Sequence, residues 1–247
     1  MSRLAVMLLL IAGFVDAACG GVGTTAQKGN GTGSSQVVGD GQQSRQPSRT
    51  DHQNVKVEDN GFTQLPPDSI GNSYISYAAV LKNPNADRWI AEQVSVNVTF
   101  YNAANTVVKS TDDTVSIMLP GQTLAVANSA QVQSATRMEV QALVGRWEQA
   151  TSPLGAFTVE GVTSNADDFS LKTNGTVSST FAKDLKNVEA SAVYFDADNK
   201  IIGGAFTFIK FVPAGGKTGF EITSLQKLPN VARTGVYVGI TSLSLLS

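Results

Sequence analysis

The sequence predicts an all-β protein made of two tandem β-sandwiches. Val94 to Phe100 alternates apolar and polar residues, the period of two that is typical of a strand with one buried face. The same alternation returns at Val188 to Tyr194, 94 residues later. Turn residues separate the short apolar segments, and no amphipathic helix interrupts them. These three observations favour two copies of one sandwich unit.

The chain begins with features of a bacterial signal peptide. Arg3 supplies a positive charge, and Leu4 to Val15 forms a run of a dozen uncharged, mostly apolar residues. A helix needs about 20 apolar residues to span a bilayer, so this run suits a signal peptide better than a membrane span. We therefore expect residues 1–18 to be removed.

Cys19 is the only cysteine in the chain, and it directly follows Ala17 and Ala18. This placement predicts a lipoprotein whose lipid is attached to Cys19, although Asp16 stands where lipoprotein processing prefers an aliphatic residue. The alternative is ordinary secretion, because Val15-Asp16-Ala17 also fits the general signal peptidase. Lipidation is favoured because it consumes a thiol that would otherwise be reactive and unpaired outside the cell.

Residues 19–53 are rich in Gly, Ser and Gln and contain few large apolar side chains. Such a segment cannot repay its ordering entropy, and it predicts a disordered tether between the lipid and the folded part. The only histidine, His52, lies at the end of this segment. It lacks neighbouring metal ligands and is interpreted as a solvated linker residue.

Two sandwich domains are predicted over residues 54–150 and 151–247. The aromatic pair and Asx turn at 100–105 match those at 194–199, and each is followed by two aliphatic residues. Leu119-Pro120-Gly121 corresponds to Val212-Pro213-Ala214-Gly215, which predicts a second reversal of the chain. The spacing of these turns indicates hairpins in both copies.

The sequence contains no constellation that predicts catalysis, a cofactor or a metal site. No histidine or cysteine occurs after residue 53, which removes Ser-His relays and thiol nucleophiles. A net charge of −2 without a basic cluster argues against a nucleic-acid partner. Carboxylate-only hydrolysis survives these exclusions as a distant third function.

Several weaker patterns have a structural and a functional interpretation. The structural interpretation is favoured for each. Asp196, Asp198 and Asn199 are expected to form Asx turn bonds, and the glycine pairs Gly203-Gly204 and Gly215-Gly216 to serve in turns or bulges.

Two pairs of adjacent aspartates, Asp112-Asp113 and Asp167-Asp168, are expected to point to opposite faces. Trp89 and Trp147 are interpreted as packing residues rather than ligand platforms.

Taken together, these motifs resemble the FxLYD domain family of bacterial envelope proteins. The resemblance is carried by Ala79-Val80-Leu81-Lys82-Asn83, by the two Asx turns and by Leu119-Pro120-Gly121. Phe169-Ser170-Leu171 starts the family's naming motif, but Lys172-Thr173 replaces its Tyr-Asp, and the first copy lacks Phe-x-Leu. The resemblance implies two tandem immunoglobulin-like β-sandwich domains after the tether, without catalytic residues.

The favoured function is a non-catalytic binding or interaction module. It would be anchored through the lipid on Cys19 to the extracytoplasmic face of a bacterial membrane, with an envelope protein or polymer as partner. The alternative is a structural or spacing lipoprotein without a specific ligand. An exposed aromatic patch near Trp89 or along a strand edge would favour binding, because edges recruit further strands.

Overall fold

A computed structural model describes residues 51–224 and 227–243. The predicted signal peptide, Cys19 and the predicted tether up to residue 50 lie outside the described residues. The described residues belong to one compact unit. Across the two described ranges, no helix has the length and apolarity needed to cross a membrane.

Twelve strands make up the regular structure of the described ranges, so the predicted all-β fold class is confirmed. The first half contains β1 (Lys56–Gln64), β2 (Tyr74–Lys82), β3 (Trp89–Tyr101), β4 (Val107–Met118), β5 (Thr123–Gln131) and β6 (Arg137–Gln149). The second half contains β7 (Phe157–Ala166), β8 (Leu171–Ser179), β9 (Leu185–Phe195), β10 (Ile201–Val212), β11 (Lys217–Ser224) and β12 (Arg233–Gly239).

Each half is a sandwich of two three-stranded antiparallel sheets with the same topology. The first half pairs β1-β2-β5 and β4-β3-β6, and the second pairs β7-β8-β11 and β10-β9-β12. The two central strands of each half therefore follow the predicted repeat, with β3 equivalent to β9 and β2 equivalent to β8. The fold has the sandwich character of immunoglobulin-like proteins.

The turns repeat in atomic detail. Asn102 Oδ1 accepts bonds from the backbone N–H groups two and four residues later, each at 3.0 Å, and Asp196 Oδ1 does the same at 2.9 Å. Asn105 and Asn199, which close these turns, have φ of 59° and 61°. Asx residues tolerate this left-handed conformation, which explains why they stand at both positions.

The alternation found in the sequence separates buried from outward-facing residues in the structure. Val94, Val96, Val98 and Phe100 are fully buried against β2, and Val188, Ala190, Ala192 and Tyr194 are fully buried in the second half. Thr99 lies on the opposite face, where its hydroxyl donates to Asn97 Oδ1 at 3.0 Å. The predicted orientation of this strand is confirmed.

The two halves share a second-half core cluster that includes Leu65, Ile90, Ile117 and Leu119 of the first half, and they also pack through an apolar contact between non-equivalent sheets. The first half presents Ala78, Val80, Ala125 and Ala127 from β2 and β5, and the second presents Val193, Phe195 and Ile201 from β9 and β10. Gly204 fits between the halves, since a Cβ there would lie 2.6 Å from that of Ala127. Ser76 is buried in this contact, where its hydroxyl bonds the amide and the carbonyl of Gly204.

The faces that would form the same contact a second time are less apolar. The register places Asn174, Thr176, Gly219 and Glu221 on the outer face of β8 and β11, where β2 and β5 carry Ala78, Val80, Ala125 and Ala127. On the β3–β4 sheet, Thr99, Tyr101 and Val107 replace Val193, Phe195 and Ile201. The apolar pair of faces thus occurs once among these equivalent positions.

Candidate functional site: an aromatic edge strand

Strand β10 carries the most prominent exposed aromatic surface of the described residues. Phe206, Phe208 and Phe211 retain 41%, 51% and 44% of their exposure. Their strand lies at the edge of its sheet, with β9 on one side and no strand paired on the other in the described ranges. We call Phe206, Phe208 and Phe211 the aromatic edge.

Phe206 and Phe208 stand two residues apart and form an edge-to-face pair with ring centroids 5.7 Å apart. They share the outer face of the sheet with Gly204, which the contact between the halves covers. Exposed Lys210 follows them in the same alternation. An apolar pair flanked by a cation on an unpaired edge can contact another chain through both backbone and side chains.

A groove runs along the open side of the second sandwich, between the edge strands β10 and β11. It has a volume of about 440 Å³, and it is lined by Phe208, Ile209, Phe211, Thr218 and Phe220 among others. Phe220 is 8% exposed and Ile209 is 6% exposed, so the floor is apolar core and the rim is aromatic. The groove offers an apolar seat beside an unpaired strand.

The equivalent edge in the first half, strand β4, is polar. Asp112 and Thr114 occupy the places of Phe206 and Phe208, 94 residues earlier. Asp112 accepts a bond from Asn97 Nδ2 at 2.9 Å. Ile117, which corresponds to Phe211, is buried within the core that continues into the second half. Only the second copy leaves these positions both aromatic and exposed.

The carboxylates of the acidic turns noted in the sequence accept hydrogen bonds from backbone N–H groups of their own turns. Asp196 caps its own turn as described above, and Asn199 has a left-handed φ, so the turn interpretation of this loop is confirmed. Asp167 likewise accepts bonds from the amides of Phe169 and Ser170 at 2.8 and 2.6 Å. These bonds hold the pKa of Asp167 below its ordinary value.

The two aspartates of β4 point to opposite faces, as predicted. Asp112 bonds Asn97, whereas Asp113 accepts the Tyr77 hydroxyl at 2.7 Å and the Asn128 amide at 3.2 Å. Burial holds the pKa of the Tyr77 hydroxyl above its ordinary value, and the bond to Thr111 offsets only part of this rise. Asp113 thus satisfies a buried phenol that spans the core between the two sheets of the first half.

Glu189 is the one partly buried carboxyl with a raised pKa in the described ranges; burial is the main cause, and the charge of Asp113 adds to it. A raised carboxyl pKa is a property of general acids. The cavity beside Glu189, however, has a volume of about 10 Å³, room for about one water molecule. This cavity is too small to hold a sugar ring or a peptide.

The interpretation of His52 as a solvated linker residue is wrong. Its ring stacks on Trp147 at 4.5 Å between centroids and meets Trp89 edge-on at 5.1 Å. Its Nδ1 is buried without a hydrogen-bond partner among the described residues. The prediction missed these ring contacts because the two tryptophans are far apart in the sequence. They come together only where β3 pairs with β6.

Next to His52, hydrogen bonds to two buried asparagines, Asn83 and Asn85, fix the position of the chain. Gln53 and Asn85 exchange two bonds, with Gln53 N donating at 2.7 Å and Asn85 Nδ2 donating at 2.8 Å. Asn83, which is fully buried, accepts from Asn85 and donates to the carbonyls of Trp89 and Leu119. The ordered chain therefore begins before residue 54, and Trp89 and Trp147 act as packing residues, as predicted.

The glycine pairs have the predicted turn and bulge roles. Gly203 has φ of 150° beside a register shift that follows Ile201, which identifies a bulge. Gly215 has φ of 58° in the turn between β10 and β11, and Gly216 donates to Pro213 O at 3.0 Å. In the described ranges, no group of three or more His, Cys, Asp or Glu side chains could hold a metal ion.

No protein-family model matches this chain, and no curated protein does either. Among solved structures, the chain is similar to a crystal structure of red sea bream transglutaminase, at 11% identity and a TM-score of 0.23. The match covers 75% of this chain and 31% of that one, so the chain spans about a third of the transglutaminase. A likeness this distant carries no argument about function.

Proposed function

We propose that this chain is a non-catalytic binding module that is anchored by a lipid on Cys19 to the extracytoplasmic face of a bacterial membrane. Its binding surface is the aromatic edge. The observation that supports this proposal is the exposure of three phenylalanines on one unpaired strand, while the equivalent strand of the first half carries Asp112, Thr114 and a buried Ile117.

The mode of binding follows from the chemistry of the edge. Proteins protect edge strands with charges, prolines or cover, because an unprotected edge pairs with other chains. β4 follows this rule through Asp112 and Lys109, both exposed. β10 departs from it at the matching positions, and a departure of this kind in one of two copies is expected where pairing is the function. The partner would add an extended strand to β10 and place apolar side chains in the groove beside Phe211.

A photocrosslinking amino acid at position 208 tests this surface in intact cells of the organism that encodes the chain. We expect a covalent adduct at position 208 and none at Thr114, the matched position on β4, which is also exposed. Equal labelling of both positions, or labelling of neither, would favour the alternative of a spacing lipoprotein. A hydrolytic activity lost on Glu189→Gln with the fold intact would instead favour the carboxylate enzyme.

Lipid anchoring has its own test, which concerns residues outside the described part of the chain. We expect the mature protein to start at an acylated Cys19 and to sediment with membranes, and Cys19→Ser to move it to the soluble extracytoplasmic fraction. Mass spectrometry of the mature N-terminus provides the measurement. A mature chain that starts at Ala18 with a free thiol would show ordinary secretion.

A further inference from the structure

We infer that the occupant of the aromatic edge is a second copy of this chain, paired antiparallel through β10 about a twofold axis at Phe208. This inference rests on the proposed function, because it names the partner of the same surface. The length of free edge that β10 offers and the order of side chains along it support this pairing.

The exposed side chains of the edge lie between Phe206 and Phe211, whereas Ala205 and Ile209 point into the core. Before it, Gly204 is packed under Ala78 and Ala127 of the first half. After it, Val212 is fully buried and Pro213 has no N–H to donate to a ladder. Phe208 is the middle one of the three exposed alternate residues Phe206, Phe208 and Lys210, so a symmetric pairing that matches these side chains has its axis there.

Pairing about Phe208 gives favourable neighbours across the new ladder. Phe208 stands opposite Phe208 of the second copy, and directly opposed aromatic side chains attract. Phe206 stands opposite Lys210 of the second copy, and this ring–ammonium pair occurs twice by symmetry. All three residues alternate onto one face, so the register that aligns the backbones also aligns these side chains.

The contact has no like-charge opposition at its centre, because Lys210 is the only charged residue between Ala205 and Phe211. A pairing of about seven residues a side buries less area than a standard stable interface, so the free protein should associate weakly. Anchoring both copies to one membrane raises their effective concentration, and a weak pairing of edges then becomes populated. Weak association of the free protein is therefore compatible with pairing of the lipid-anchored chains.

Disulfide capture tests the register, with the chain from residue 19 carrying Cys19→Ser so that no native thiol remains. In this background we expect Phe208→Cys to form a covalent dimer under mild oxidation, because the axis brings the two thiols together. Thr114→Cys on β4 should stay monomeric under the same conditions. Equal yields from the two variants, or no dimer from Phe208→Cys, would overturn the inference.

Sedimentation equilibrium of the Cys19→Ser chain tests the pairing with Phe208 intact. We expect a monomer–dimer equilibrium that Lys210→Glu weakens about five- to thirtyfold through its two ring contacts. Lys109→Glu, an exposed charge change on β4, should leave it unchanged. A protein that stays monomeric at all concentrations up to about 1 mM, while position 208 still crosslinks another protein in cells, would refute self-pairing and keep the proposed binding surface. Failure of both would refute the surface as well.

Discussion

We expect Val98→Lys to unfold the first sandwich and Thr99→Lys to leave it folded. Val98 is fully buried between the two sheets, and Asp113, a carboxylate on the same face, already accepts bonds from the Tyr77 hydroxyl and the Asn128 amide. An unpaired ammonium there costs about 3 to 5 kcal/mol, a large part of the roughly 5 to 15 kcal/mol that stabilises a domain. Thr99 faces outward, so its replacement should cost less than about 1 kcal/mol.

Chemical denaturation of the full chain measures both variants. Residues Leu65, Ile90, Ile117 and Leu119 of the first half pack into the core of the second. Loss of the first sandwich should therefore also lower the denaturation midpoint of the second, although the substituted residue lies outside its core. Equal midpoints for Val98→Lys and Thr99→Lys would contradict the assigned faces.

Gly61→Val should loosen the contact between the halves. Gly61 lies on β1, and a Cβ at this position would come within 2.0 Å of the carbonyl oxygen of Ile201 on β10. The atoms that would clash are the added Cβ, which is fixed to the backbone of β1, and the backbone carbonyl of Ile201. A change of side-chain rotamer therefore cannot relieve the clash. Overpacking of this kind costs about 1 to 3 kcal/mol, and here the strain falls on the joint between the halves.

Gly219→Val is the matched control. Gly219 is also a strand glycine, but its nearest neighbour beyond the adjoining residues is 3.9 Å from the added Cβ. Valine suits a strand, so this variant should keep or slightly raise the free energy of unfolding. Hydrogen exchange would locate the effect: for Gly61→Val we expect faster exchange in β1 and at the start of β10. Unchanged exchange there would show that β1 and β10 absorb the side chain.

Local periodicity predicted the fold well because it depends on neighbouring residues. The alternation at Val94 to Phe100 fixed both faces of β3, and the Asx residues at 102, 105, 196 and 199 adopt the turn geometry expected of them. His52 could not be placed in this way, since its position depends on two tryptophans from strands distant in the sequence. The same applies to Asn85, whose buried bonds join it to Gln53.

The aromatic edge was missed for a different reason. Phe206 and Phe208 look like ordinary core residues of a β protein when the second copy is inspected alone. The signal lay in the comparison of the copies, where Asp112 and Thr114 stand 94 residues earlier. When these equivalent positions are aligned, polar residues in one copy and phenylalanines in the other distinguish the two strands from the sequence alone.

The contact between the halves joins unlike faces of two like units, and such head-to-tail contacts have no built-in end. Repeated without limit, they would assemble copies into a fibre. In this chain Asn174 and Glu221 at one end and Thr99 at the other stand where a further contact would need apolar residues, so the series ends at two. Each copy thus caps the other, as terminal repeats do in solenoid proteins.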